Sequence, residues 1–136
     1  MATFTKFNSF VEALAEKTHN LGSDTLKVAL TNSAPSASNT VLANITEITY
    51  TNLSSRTITV SASSQTSGTY KLVCTDLVLT SSSGTTGPFR YIVIYNDTAS
   101  NDELIAYFDY GSSITLQDGD TFTVDFDGTN GLLQLA

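Results

Sequence analysis

The sequence predicts an all-β fold: a β-sandwich, jelly-roll or immunoglobulin-like, of seven to eight strands with one N-terminal amphipathic α-helix. Three observations predict it. Apolar and polar residues alternate at period two over most of the chain beyond Gly22. Turn-forming pairs separate these stretches at roughly ten-residue intervals. Only one segment, near the N-terminus, carries the 3.6-residue period of a helix. At 136 residues the chain is read as a single domain, 1–136. Its folded surface should be ~6,900 Å², enough burial for a core without disulfides or a metal.

The helix comes first. Phe7, Phe10, Val11, Leu14 and Thr18 recur at the spacing of one helical face, while Lys6, Glu12, Glu16 and Lys17 fall mainly elsewhere. Ser9 and Glu12 fit a capping box, with Thr5 as an earlier cap, and Gly22 supplies a left-handed residue to close the element. The expected span is about 6–20. Leu26, Val28 and Leu30 then alternate with Lys27, Ala29 and Thr31, predicting a half-buried strand. Residues 32–55 are rich in Asn, Ser, Thr and Ala and contain Pro35, so they read as a long surface loop with a short element near 41–45.

Strands fill the rest. Ile58 and Val60 lie between threonines. Tyr70, Leu72 and Cys74 share one face of a segment reaching Leu79, with a bulge or bend expected at Asp76. Phe89 to Tyr95 is apolar on both faces apart from Arg90, which places it centrally in a sheet. Leu104–Tyr110, Ile114–Leu116, Thr121–Phe126 and Leu132–Leu135 follow. Between them stand Ser82-Ser83-Gly84, Gly87-Pro88, Asn96-Asp97, Gly111-Ser112, Asp118-Gly119 and Asn130-Gly131, all turn chemistry.

Composition narrows the function classes. Six Lys and Arg against 13 Asp and Glu give a net charge of −7. The six cations are scattered, so no footprint for phosphates exists and nucleic acid is excluded as a partner. The same balance disfavours an anionic membrane surface. No apolar run is long enough to cross a bilayer, and MATFTKFNSF lacks the apolar centre of a signal peptide. Charged residues are only 14%, and 22 Thr, 17 Ser and 9 Asn supply the polar surface instead. The triplets at Asn44, Asn52 and Asn96 match the glycosylation pattern by chance in such a chain and are read as unmodified.

Candidate chemistry is sparse. His19 is the single histidine, expected to cap the helix C-terminus. Cys74 stands alone in an apolar alternation and is read as a buried, inert thiol. The acids Asp118, Asp120, Asp125 and Asp127 with Asn130 offer oxygens for Ca²⁺, but the EF-hand spacing is not met, and Asp-Gly turns explain them. No nucleophile elbow, phosphate loop or zinc-protease motif occurs. Most of the six Tyr and seven Phe fall where core packing explains them, and the chain has no Trp to stack on a sugar. The residues therefore point to no catalytic site, no metal and no cofactor.

Four segments carry a resemblance: KFNSFVEALAEKTHNLGSDTLKVALTNSAP, SQTSGTYKLV, GPFRYIVIYNDT and DYGSSITLQDGDTFTVDFDGTNGLLQL. Together they resemble a family of small virion structural proteins of tailed bacteriophages, over nearly the whole chain. The most specific part is Gly87-Pro-Phe-Arg-Tyr91 with the apolar strand and Tyr-Asn-Asp-Thr98 that follow. The resemblance brings no catalytic motif. It implies a non-enzymatic building block that self-associates as a trimer or dimer and binds major capsid or tail proteins in a virion assembled in the host bacterial cytoplasm. A capsid decoration (cement) protein on the outer head shell is the first expectation. A tail or tail-tip protein is the alternative, and a host-surface carbohydrate-binding domain a third. The helix at 6–20 and the loop at 32–55 are the expected contact elements.

Overall fold

The computed structural model describes residues 2–136 as an all-β, sandwich-like fold of antiparallel sheets with one short helix. The elements run β1 (Thr3–Lys6), α1 (Ser9–Ala15), β2 (Leu26–Thr31), β3 (Val60–Thr66), β4 (Thr69–Cys74), β5 (Leu77–Thr80), β6 (Thr86–Asn96), β7 (Leu104–Leu116), β8 (Thr121–Val124) and β9 (Leu133–Leu135). Nine strands thus stand where seven or eight are expected. The surface is 6962 Å², close to the expectation from chain length.

One layer is a four-stranded sheet in the order β1-β7-β6-β2. The other contains β3-β4-β9 and β5-β8. Their registers nearly join, because Leu72 faces Leu133 while Leu77 faces Val124. The 70–80 segment is therefore one bent strand lying beside 121–135. The bend falls at Asp76 as expected, and its carboxylate accepts the Phe126 N–H at 2.9 Å across the break. Gly131 makes the matching turn at φ +84°, where a Cβ would lie 2.6 Å from the Leu72 carbonyl oxygen.

The main core lies between the layers, with Leu26, Val28 and Leu30 from β2, Phe89, Ile92 and Ile94 from β6, and Leu72, Cys74 and Leu79 facing them. Each such side chain contributes ~1.5–3 kcal/mol by leaving water. A second cluster sits on the outer face of the four-stranded sheet, where Leu42 and Ile45 cover Phe7, Ala29, Val93, Tyr95 and Leu104. This explains why β6 is apolar on both faces: it is central, between β7 and β2, and is covered from both sides. It also corrects the reading of β2. Ala29 and Thr31 are fully buried rather than half-exposed, because residues 32–55 fold over them.

Those residues remain irregular apart from a 3₁₀ turn at Leu42–Asn44, as expected. Asn44 holds the turn, its Oδ1 accepting the N–H groups of Thr40 and Val41. The continuing chain then lies along β2: Ile48 N–H donates to Leu30 O, Val28 N–H to Arg56 O and Ile58 N–H to Leu26 O. Arg56 Nη1 donates to Val28 O at 2.7 Å, and its guanidinium sits 3.8 Å from the Tyr50 ring centre. The outer edge of β2 is thereby sealed.

The helix is shorter than the expected 6–20. Residues 3–6 pair with β7 instead, Asn8 takes the N-cap position, and neither Ser9 nor Thr5 forms the expected cap. The helix closes at Lys17, not Gly22. Lys17 has φ +72°, Thr18 N–H reaches Ala13 O at 2.9 Å, and Lys17 N–H reaches Leu14 O at 3.4 Å. This is the double-bonded Schellman closure with lysine at the left-handed position. Gly111-Ser112 is not a turn either. Gly111, at φ +99°, lets β7 bulge and run on unbroken to Leu116.

Candidate interaction surface

The histidine, the thiol and three of the four C-terminal acids are committed to structure. His19 is not at a helix end; it is buried against the Phe10 ring, with centroids 5.3 Å apart. Asn96 fixes its state. The Asn96 Oδ1 accepts N–H bonds from Thr98 and Ala99, so its amide nitrogen is free to donate to Asp24 Oδ2 at 2.7 Å and to His19 Nδ1 at 2.9 Å. An accepting Nδ1 puts the imidazole proton on Nε2. Burial pushes the histidine pKa below its ordinary value, outweighing the carboxylates of Glu103 and Asp24. Nε2 is thus a donor in a neutral ring, and no side chain is bonded to it.

Cys74 is buried, and burial lifts its thiol pKa to about 11, so it stays protonated at neutral pH. Of the C-terminal acids, Asp118, Asp120 and Asp127 cap turns, while Asp125 is exposed. Asp127 accepts the N–H groups of Thr129 and Asn130, each at 2.8 Å, and the Asn130 side chain at 3.0 Å. Those bonds hold its carboxyl below the usual range. Asp118 accepts Ser83 N–H and Asp120 accepts Gln117 N–H. Among the described residues no three His, Cys, Asp or Glu side chains converge as metal ligands, and no helix is long and apolar enough to cross a membrane. Of the three glycosylation-pattern residues, Asn96 is fully buried, Asn44 caps its 3₁₀ turn, and Asn52 donates to Thr85 O.

What remains is one side of the sandwich, where both layers end. The four-stranded sheet ends at β1, and the other layer ends at β8 and β9. Between these edges lie two hollows. The larger, about 540 Å³, is lined by Phe4 and Lys6 of β1, Phe10, Val11 and Leu14 of α1, and Leu133 and Leu135 of β9. The smaller, about 300 Å³, is lined by Ala2, Phe108, Tyr110, Phe122 and Asp125. Five large apolar side chains stand about half exposed, and four of them line these hollows: Phe4, Val11, Tyr110 and Leu135. Phe4 rests on Phe108, and Tyr110 meets Phe122 at 70° between ring planes. The rings form a ribbed band rather than a flat stacking platform.

The alternation of β1 makes this edge receptive. Phe7 N–H donates to Ile105 O at 3.1 Å, in register with the pairs Thr3–Asp109 through Lys6–Ala106. Odd residues therefore turn their backbone groups toward β7, and even residues turn theirs outward. Asn8, the next even residue, donates away from β7 to Ala37 O at 2.9 Å. The N–H and C=O of Phe4 and Lys6 face the open side.

Sequence reasoning missed this edge. Thr3–Lys6 holds one large apolar residue, and Phe7 extends the apparent helical face into it. Of the expected contact elements, α1 contributes Val11 and Leu14 to the larger hollow, and part of the loop at 32–55 runs along the outer edge of β2. Set against known proteins, the chain matches no family model, no curated protein and no solved structure.

Proposed function

We propose that this chain is a non-enzymatic structural protein of a tailed-phage virion, a decoration protein that adheres to the outer head shell. The observation that carries the reading is the open side of the sandwich. Four half-exposed apolar side chains and an unpaired strand edge gather there, while the opposite sheet edge is closed. Apolar surface concentrated in this way suits adhesion to other protein. The resemblance of the four quoted segments to small virion proteins points to the same role. So does the charge: −7 is repelled by packaged DNA and favours an outward position. The sole histidine is neutral with its proton on the only unengaged nitrogen, and the sole thiol is protonated, so neither supplies a base or nucleophile.

Incubating the purified chain with undecorated heads tests the reading. Stoichiometric, saturable binding to the outer surface is expected. Heads that take up no chain, with the protein located on tails of intact virions, would move it to the tail-protein alternative.

A further inference from the structure

We infer that the open side of the sandwich is a two-fold interface between copies of this chain, formed by antiparallel pairing of β1 with β1 of a second copy about Phe4. This rests on the adhesion reading above and supplies its partner, but it does not depend on where in a virion the protein sits.

Three features specify the occupant. The first is backbone register. Phe4 and Lys6 present their N–H and C=O groups outward, so Phe4 can exchange both hydrogen bonds with its symmetry mate. The pairs Ala2–Lys6 and Lys6–Ala2 follow on either side. The second is charge. Lys6 is the one charged residue lining the larger hollow and Asp125 the one charged residue lining the smaller, at opposite ends of β1. Neither makes an ion pair or side-chain hydrogen bond among the described residues. Antiparallel pairing reverses the second β1, so Lys6 of each copy arrives beside Ala2 and the hollow that Asp125 lines. The edge is thus self-complementary under a two-fold axis. The third is apolar burial. Ala2, Phe4 and Lys6 share the inner face of β1, so the two Phe4 rings meet on the axis and cover each other's exposed edges. A standard interface of ~800 Å² per partner would take roughly a ninth of the 6962 Å² surface.

The expected assembly is a dimer of twice the 14.5 kDa chain mass, with a continuous eight-stranded sheet. Sedimentation of the full chain and four variants tests it. The wild type should dimerise with Kd on the order of 1–100 µM. Phe4→Asp should be monomeric with unchanged circular dichroism. Lys6→Asp and Asp125→Lys, both at exposed positions, should each weaken the dimer about two- to thirty-fold, since each disturbs two symmetry-related pairs. The loss in Asp125→Lys would come although that change moves the net charge toward zero. The double variant Lys6→Asp/Asp125→Lys keeps the wild-type net charge and should restore the affinity. A wild type that stays monomeric at about 100 µM overturns the inference. So does a dimer indifferent to Phe4→Asp and to both charge reversals, and so does protection of the Phe4 and Lys6 amides that arises only on shell binding. Head binding by a monomer would leave the decoration reading standing without the dimer.

Discussion

At the scale of the residue, buried side-chain amides serve the fold. Asn96 shows how. With no exposed surface, it satisfies two backbone N–H groups, one carboxylate and one imidazole nitrogen with a single side chain. Its donation to Nδ1 is compatible only with neutral His19. In the unfolded chain His19 titrates near 6.5, and in the folded chain burial holds it lower. Between those two values the unfolded state binds more protons, so stability falls as pH drops from 6.5 toward the folded value and is level above 6.5. The carboxyls that the fold depresses, Asp109 through Arg90 and Asp127 through its turn, contribute only below about pH 5, and Asp102, raised by burial, contributes with the opposite sign. Urea denaturation from pH 8 to pH 5 should show a slope no steeper than about 1.4 kcal/mol per pH unit, absent in His19→Gln. The same slope in the variant would remove His19 as its source.

At the scale of the element, the sequence was most legible where one physical rule acts alone. The alternation in β4 and β8 follows from the period-two burial of a sheet face, the two-sided apolar run of β6 from its central place, and the structure has both, with the bend at Asp76. Legibility failed where two rules compete. Phe7 has helical spacing to Phe10, Val11 and Leu14, yet it packs on the outer face of the sheet with Val93 and Tyr95, so the helix begins later. Gly111-Ser112 has turn chemistry, yet cross-strand pairing with β6 carries β7 through it as a bulge. The helix end is the clearest conflict, because the left-handed closure falls on Lys17 while Gly22 lies beyond it. A β-carbon in that conformation costs ~1 kcal/mol. Lys17 is exposed and makes no ion pair among the described residues, so Lys17→Gly should stabilise the protein by about 0.5–1 kcal/mol. A denaturation midpoint that falls instead would mean that the lysine side chain contributes more than the strain costs. The strand that edges the candidate surface was not legible, although the helix beside it was. Which strand ends a sheet depends on long-range order, and β1 is placed by β7, a hundred residues away.

At the scale of the whole molecule, two opposing charge effects would act on the proposed dimer. Each chain carries −7, so copies repel one another over the whole surface. In that dimer the Lys6–Asp125 pairs would attract, but as two exposed contacts of modest strength. Their neighbours in the interface, Phe4, Val11, Tyr110 and Leu135, are apolar and indifferent to salt. Long-range repulsion is screened once the Debye length falls from ~30 Å at 0.01 M to ~10 Å at 0.1 M, whereas close pairs lose less. The dimer should therefore tighten over that range, and its affinity should level off above it. Sedimentation at the two ionic strengths reads this directly. Steady loosening with salt would mean that local ion pairs, rather than the apolar edge, hold the copies together. Tightening would mean that the apolar edge holds the copies together once their mutual repulsion is screened.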